Sequence, residues 1–205
     1  GPDLGRLSSR IEAGGRKVNL LTSMRLPRVS LYGGFLSDEE CDELIALSLP
    51  RMQRSKVIVS DGLARPETTV TYARTSEQTS YRPGESALVD DLRRRAAELT
   101  RWPEGKLQNL LVARYRPGAD FSPHHDYFSA NAHPALAQGG QRVATLLLYL
   151  NTPERGGATA MLDVELDIYP QRGNALLFSY PEPREDTLTL HAGVPLCEGD
   201  KWIAT

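Results

Sequence analysis

Histidine is scarce in this chain, and most of it lies in one segment. The chain has 4 histidines in 205 residues. His124, His125 and His133 fall within one ten-residue stretch, and His191 follows later. Asp126 stands two residues after His124, which makes a His-x-Asp pair. If the pair lies on a β-strand, both side chains point to the same face, because side chains alternate along a strand. It would then offer one nitrogen and one oxygen donor on one side of a sheet.

His191 could complete a metal site with that pair. A second strand across a small barrel would bring its imidazole to the same centre. Two histidines and one carboxylate on one face of an octahedron leave three positions open, which is typical of non-haem Fe(II) oxygenases. The His-x-Asp pair alone is also compatible with a surface histidine and aspartate beside a turn. The metal centre is therefore a hypothesis that the surrounding sequence must support.

Lys201 is a second residue that could take part in such a site. It follows His191 by ten residues, across a Gly-Asp turn, so its side chain can face the same cavity. A buried lysine needs an anionic partner. A dicarboxylate cosubstrate would supply that partner.

The elements that must position these residues are predicted to be helices first and strands after. Ser37 is predicted to cap a first helix, with Glu40 reaching back to it, and a second helix is predicted from about Ser86 to Leu99. Many short β-type runs with turn residues between them then indicate a sandwich or barrel. These runs are Leu107–Tyr115, Val143–Leu150, Val164–Tyr169, Ala175–Tyr180, Thr187–His191 and Lys201–Thr205. The sequence therefore predicts an α+β domain with a β core.

Length and charge exclude several classes of partner. The length predicts a single domain over 31–205, preceded by an arm or short helix over 1–30 that could mediate a homodimer. The 24 lysines and arginines against 26 aspartates and glutamates give a net charge of -2, which does not call for nucleic acid. No stretch approaches the roughly 20 apolar residues of a membrane helix. With 2 cysteines and no visible signal peptide, we expect a cytoplasmic protein.

A series of short motifs in fixed order resembles the prolyl 4-hydroxylase branch of the Fe(II)/2-oxoglutarate dioxygenases. The motifs are Tyr-x-Pro-Gly at 115–118, His-x-Asp at 124–126, Gly-Gly-Gln-Arg at 139–142, Thr-x-x-x-Tyr-Leu-Asn at 145–151, Gly-Gly-x-Thr at 156–159, Gly-x-Ala-Leu-Leu-Phe at 173–178, His-Ala-Gly-x-Pro at 191–195 and Gly-x-Lys-Trp at 199–202. Arg74-Thr75-Ser76 also fits the family pattern. The resemblance implies a double-stranded β-helix, that is, a distorted jelly roll, supported by the N-terminal helices.

The resemblance also implies a role for each site residue. The implied iron ligands are His124, Asp126 and His191. Lys201 matches the position that pairs with the distal carboxylate of 2-oxoglutarate. The positions whose hydroxyls can support that carboxylate are matched by Tyr115, Tyr149 and Thr205. Arg142 matches a position associated with substrate binding.

The activity that the resemblance implies is hydroxylation of a C–H bond. It would use Fe(II), O2 and 2-oxoglutarate, with ascorbate as reductant and with release of succinate and CO2. The expected partner is a proline-containing peptide or protein. A free amino acid or small metabolite is the alternative, since Phe121 stands where relatives often have tyrosine. A metal-binding β-barrel without catalysis is a more distant alternative, and the roles of His133 and Arg74 stay open.

Overall fold

The computed structural model describes residues 9–55, 57–59, 67–69, 76–128, 136–137 and 139–205. Two residues whose roles the sequence left open, Arg74 and His133, lie outside the described residues.

The two helices lie where the sequence predicts them. Helix α1 spans Asp38–Ser48 and helix α2 spans Ala87–Thr100. The predicted cap of α1 is confirmed: the Glu40 backbone N–H donates to Ser37 Oγ at 3.1 Å, and the Ser37 backbone N–H donates to Glu40 Oε2 at 2.8 Å. Within the described part of the chain, no helix is long and apolar enough to span a membrane.

Seventeen short strands lie in the described part of the chain. In chain order they are β1 (Arg10–Ala13), β2 (Arg16–Met24), β3 (Arg28–Gly33), β4 (Gln53–Arg54), β5 (Val57–Val59), β6 (Glu67–Thr69), β7 (Glu77–Tyr81), β8 (Leu110–Tyr115), β9 (Phe121–His124), β10 (Ala144–Tyr149), β11 (Arg155–Gly156), β12 (Thr159–Met161), β13 (Leu166–Ile168), β14 (Ala175–Ser179), β15 (His191–Gly193), β16 (Leu196–Glu198) and β17 (Lys201–Ala204).

These strands form two main antiparallel sheets. The larger sheet has nine strands in the order β1-β2-β3-β14-β10-β17-β8-β7-β4, and the smaller has four in the order β13-β12-β15-β9. Two further pairs, β11 with β16 and β5 with β6, stand apart from both. This is the two-sheet architecture predicted as a double-stranded β-helix. The space between the two main sheets is called the barrel interior below.

The nine-stranded sheet is covered on both faces, so its central strands serve two separate cores. In β10, Leu146 and Leu148 pack on the side of the helices. Leu147 and Tyr149, which alternate with them, pack in the barrel interior. Strands buried on both faces carry nearly continuous apolar sequence, which explains the run Leu146-Leu147-Leu148-Tyr149.

The N-terminal segment differs from the arm or short helix expected for 1–30. Its described residues form β1, β2 and part of β3, which extend the nine-stranded sheet. Gly14 and Gly15, with φ of 55° and 71°, make the two-residue turn between β1 and β2, a conformation that glycine adopts without strain. The polar residues that suggested an arm belong to the exposed face of this hairpin, whereas Ala13 and Val18 are buried. The homodimer that this segment could mediate stays a prediction.

The predicted strand Thr187–His191 is also wrong in its position. Glu185–Thr187 forms a 3-10 turn, and the strand begins only at His191. Leu188 has a φ of 52°, a left-handed conformation that a strand cannot contain. Glu165, also at 52°, delays the start of β13 in the same way.

A buried ion pair joins the two helices. The Arg95 guanidinium on α2 donates to both carboxylate oxygens of Glu40 on α1, at 2.7 and 2.9 Å. It also donates to the Phe35 carbonyl oxygen at 2.6 Å, and its side chain is only 5% exposed. The same Glu40 carboxylate thus completes the α1 cap and anchors α2.

We expect Arg95→Met to lower the free energy of unfolding by about 3 kcal/mol, because it removes the buried cation that pairs with the partly buried Glu40 carboxylate. The measurement is urea denaturation followed by circular dichroism. The matched control is Arg94→Met on the same helix, whose partner Asp91 is as exposed as Arg94 itself; this change should stay within about 0.5 kcal/mol. Equal losses in the two variants would contradict the structural role of the buried pair.

Candidate active site

The three candidate metal ligands come together at one end of the four-stranded sheet. Strands β9 and β15 are neighbours, and their register pairs His124 with His191. Asp126 lies two residues beyond the end of β9. The structure places one ligand atom of each of the three residues within 4.8 Å of the others. The grouping predicted from the His-x-Asp pair and the distant histidine is therefore present.

Backbone carbonyls fix the orientation of both imidazoles. His124 Nδ1 lies 2.9 Å from the Ser122 carbonyl oxygen, and His191 Nδ1 lies 3.1 Å from that of Thr189. A carbonyl oxygen can only accept, so each Nδ1 carries the proton. Both Nε2 atoms are left with a free lone pair, and they face Asp126 at 3.5 and 3.7 Å. This is the tautomer that metal-binding histidines need.

The charges of the group also suit a metal. Burial raises the pKa of Asp126, but the neighbouring side chains of His124, His191 and Thr145 outweigh it, so this pKa lies well below its usual range. Burial lowers the pKa of His191, which favours its neutral imidazole. A carboxylate and neutral imidazoles are the protonation states that metal ligation requires.

Aromatic side chains hold the two imidazole rings from the sides. Phe121 stacks on His124 with ring centroids 3.8 Å apart, and Phe178 meets His191 edge-on at 4.7 Å. His125 points elsewhere: its ring stacks on Tyr127 at 4.6 Å. It is not part of the group of ligands.

Arg142 lies directly against the backbone of the aspartate ligand. One of its terminal N–H groups donates to the Asp126 carbonyl oxygen at 3.2 Å, and its Nε donates to Gln108 Oε1 at 3.0 Å. The guanidinium also lies over the Phe128 ring, 4.5 Å from its centroid. Gln141 binds both backbone groups of Phe128, at 2.8 and 2.9 Å. The segment that follows the aspartate ligand is thus held by side chains at the start of β10.

Lys201 lies buried at the side of the barrel interior, only 5% exposed. Its neighbour across the strands is Tyr115, whose ring centroid is 5.6 Å from Lys201 Nζ. Among the described residues, no carboxylate forms an ion pair with this ammonium group. Burial lowers the pKa of Lys201 to about 8. A buried, uncompensated cation of this kind fits the anionic end of a ligand.

Tyr149 and Lys201 lie on the same face of adjacent strands, because Tyr149 pairs with Ile203, two residues beyond the lysine. The Tyr149 hydroxyl donates to Thr159 Oγ1 at 3.0 Å in a fully buried position. Burial raises the pKa of Tyr149, so its hydroxyl stays protonated. Thr205 is placed differently. It is exposed, its backbone pairs with that of Leu111, and the rise of a strand sets it about 13 Å from Lys201.

Sequence reasoning missed three hydroxyl groups at the site. Thr145 donates to Asp126 Oδ2 at 2.6 Å, Tyr180 lies 3.0 Å from Thr145 Oγ1, and Thr159 is the partner of Tyr149. The signal for Thr145 was present, since it stands four residues before Tyr149 on the same face of one strand. For Tyr180 no pattern in the sequence indicates a contact with the aspartate ligand.

Comparisons with known proteins agree with this geometry. Residues 110–205 match the family model of the 2OG-Fe(II) oxygenase superfamily. The chain is 34% identical to prolyl 4-hydroxylase 2 of Arabidopsis thaliana over 202 residues, which covers 87% of this chain and 66% of that relative. It is 31% identical to probable prolyl 4-hydroxylase 4 of the same plant, over 97% of this chain and 72% of the relative. The chain thus spans about two thirds of the length of these curated relatives.

Solved structures show the same fold. A viral collagen prolyl hydroxylase from Paramecium Bursaria Chlorella virus-1, in its 2OG complex, aligns with a TM-score of 0.66 and 31% identity, over 86% of this chain and 92% of that one. A prolyl-4-hydroxylase from Pseudomonas putida aligns with a TM-score of 0.56 at 19% identity, over 86% of this chain and 89% of that one. The second similarity concerns the fold alone.

We expect His191→Ala to weaken Co(II) binding by more than about 100-fold, because even the loss of a residue that supports a ligand costs about 10- to 100-fold. The measurement is isothermal titration calorimetry of the metal-free protein with Co(II), under conditions where the unmodified protein binds one ion. His125→Ala is the matched control, since its ring faces Tyr127 and should leave the affinity within about threefold. If both variants lost affinity alike, the assignment of the ligands would be wrong.

Proposed function

Since the chain belongs to the prolyl 4-hydroxylase group of the 2OG-Fe(II) oxygenase superfamily, we propose that it hydroxylates proline residues of a peptide or protein. The reaction consumes O2 and 2-oxoglutarate and releases succinate and CO2. The observation that carries the proposal is the convergence of His124, Asp126 and His191 in the same barrel as an uncompensated buried lysine. Together they match what this chemistry requires.

The three ligands fit Fe(II) by donor type and by protonation state. Two imidazole nitrogens and one carboxylate oxygen are the donor set of non-haem iron oxygenases, and the backbone carbonyls already hold both rings in the required tautomer. When bound, Fe(II) and 2-oxoglutarate supply the oxidative chemistry that no side chain can provide, with ascorbate as the reductant. The protein supplies the geometry and excludes water.

The proposed role of Lys201 is to bind the distal carboxylate of 2-oxoglutarate. Among the described residues no carboxylate pairs with its ammonium group, and the bound ligand would supply one. A charge-assisted hydrogen bond of this kind is stronger in a dry pocket than in water. Tyr149 offers a hydroxyl on the adjacent strand β10 and Thr159 one on β12 of the smaller sheet, and Tyr115 flanks the lysine stem. The fully buried Phe178 and Met161 lie beside His191 and make that part of the barrel interior apolar.

The proposed role of Arg142 is to bind the substrate near the metal. Its guanidinium has five N–H donors, of which two are used by Asp126 and Gln108. The remaining donors can reach the backbone carbonyls of an extended peptide. Phe128 beneath the guanidinium keeps its plane fixed, which favours a directional contact.

We expect succinate formation from 2-oxoglutarate to rise when a proline-containing peptide is added in the presence of Fe(II), ascorbate and O2. Mass spectrometry of the peptide should show the gain of one oxygen atom on proline. His191→Ala should abolish both signals, because it removes a metal ligand.

The outcomes of this assay separate the alternatives. Turnover with free amino acids or small metabolites, and none with a panel of proline-rich peptides, would replace the peptide hydroxylase with a metabolite hydroxylase. Metal binding without succinate under all these conditions would identify a non-catalytic metal-binding module. Either result would overturn the proposed substrate.

We expect the dissociation constant for 2-oxoglutarate to be flat below pH 8 and to rise by up to about tenfold per pH unit above it. The reason is that the free protein loses the Lys201 proton near pH 8, whereas the ligand carboxylate needs the ammonium form. The measurement is calorimetric titration of the metal-loaded protein without O2 between pH 7 and 9.5. Lys201→Arg is the control, because a guanidinium stays charged over this range and its affinity should show no such rise. If the dissociation constant of Lys201→Arg rose in the same way, the group that titrates would be a residue other than Lys201.

A further inference from the structure

Two hydroxyl groups form a chain that ends on the aspartate ligand. Thr145 Oγ1 donates to Asp126 Oδ2 at 2.6 Å, and the Tyr180 hydroxyl lies 3.0 Å from Thr145 Oγ1. Tyr180 is fully buried. Of the two carboxylate oxygens of Asp126, the one bound by this chain also faces His191 Nε2.

The direction of the chain follows from the number of protons. An ionised carboxylate can only accept hydrogen bonds, so the single hydroxyl proton of Thr145 is used on Asp126. Thr145 Oγ1 must then accept from Tyr180, whose hydroxyl proton is available because burial and the charge of Asp126 raise the pKa of Tyr180. The order is therefore Tyr180 to Thr145 to Asp126. Removing the tyrosine hydroxyl would leave Thr145 Oγ1 held by its hydrogen bond to Asp126 alone.

The chain also crosses from one sheet to the other. Thr145 lies on β10 and Tyr180 directly follows β14, both in the nine-stranded sheet. The two are diagonal neighbours, since Thr145 pairs with Phe178 and the Tyr180 N–H donates to the Val143 carbonyl. Asp126, by contrast, lies in a turn after β9 of the smaller sheet. The one ligand outside a strand is thus held by two residues of the larger, more extensively paired sheet.

We propose that the Tyr180–Thr145 pair is a positioning device that reserves one oxygen of Asp126 for hydrogen bonding, so that the metal receives only the other. The inference rests on the proposed function, because it concerns the metal that these ligands hold. A short hydrogen bond to a carboxylate is among the stronger ones in proteins. A carboxylate that chelated the metal with both oxygens would occupy a further coordination position. With one oxygen so held, a metal bound by the three residues would keep positions open for 2-oxoglutarate and O2.

The test uses Co(II) as a spectroscopic probe in the full chain. Its visible absorption spectrum reports coordination number and geometry, and its affinity can be measured without turnover. Thr145→Val removes the hydroxyl but keeps a β-branched side chain that suits a strand. We expect it to bind Co(II) about 10- to 100-fold more weakly, with an altered spectrum and a dissociation constant for 2-oxoglutarate raised by at least about tenfold.

Three further variants separate positioning from general loss of structure. Thr145→Ser restores the hydroxyl and should restore the spectrum. Tyr180→Phe keeps the buried ring and should change the spectrum in the same direction by a smaller amount. Tyr81→Phe breaks a similar buried pair, in which the Tyr81 hydroxyl lies 3.0 Å from Ser48 Oγ in the other core, and should leave the spectrum unchanged.

The measurements on the unmodified protein and on the variants distinguish a failure of the positioning role from a failure of the proposed function. If the unmodified protein binds Co(II) and 2-oxoglutarate but Thr145→Val and Tyr180→Phe show its spectrum and affinities, the positioning role is overturned and the proposed function stands. If the unmodified protein binds no Co(II), the proposed function and the inference both fail. Should Thr145→Val not fold, Tyr180→Phe alone decides, since its only change is the loss of one hydroxyl.

Discussion

The register between β9 and β15 is the constraint on which the metal centre depends. It sets His124 opposite His191, so that the two rings lie 4.2 Å apart on one face of the smaller sheet. Because side chains alternate along a strand, a slip of one residue would send one imidazole to the opposite face. The register shifts immediately after this pair, at Gly193, where a Cβ atom would approach Phe121 at 3.3 Å. Phe121 in turn stacks on His124, so the glycine, the phenylalanine and the ligand are packed as one unit.

The metal centre and Lys201 differ in how the protein stabilises their charges. In the metal centre the Asp126 carboxylate accepts a hydrogen bond from Thr145, and backbone carbonyls accept hydrogen bonds from both imidazoles. Among the described residues no carboxylate pairs with Lys201, and its pKa falls from 10.5 to about 8. Between these values the folded ligand-free protein binds fewer protons than the unfolded chain, so its free energy of unfolding rises as the pH increases through that range. The fold therefore tolerates an unfavourable charge at neutral pH that a bound dicarboxylate would neutralise.

Much of this arrangement could be predicted from the sequence. The capping residues Ser37 and Glu40 locate α1, and the ordered motifs from Tyr115 onward locate the barrel and its ligands. Long-range contacts could not be predicted, since neither the bond from Thr145 to Asp126 nor the donation of Arg142 to the same residue leaves a local pattern. The N-terminal hairpin was missed for a different reason. It pairs with an edge of the sheet, so most of its side chains are polar, and only the Gly14-Gly15 turn distinguishes it from an arm.

The alternation of β10 between two cores has a consequence for how proteins of this kind diverge. Leu146 and Leu148 contact the side of the sheet covered by the helices, whereas Thr145, Leu147 and Tyr149 contact the side where the reaction is proposed to occur. Neighbouring positions in one strand are therefore subject to different packing constraints. Substitutions at the positions that face the helices would change the cover and stability of the sheet without placing a new side chain in the barrel interior. Substitutions at the positions that face the interior would change the site and leave the exterior as it is.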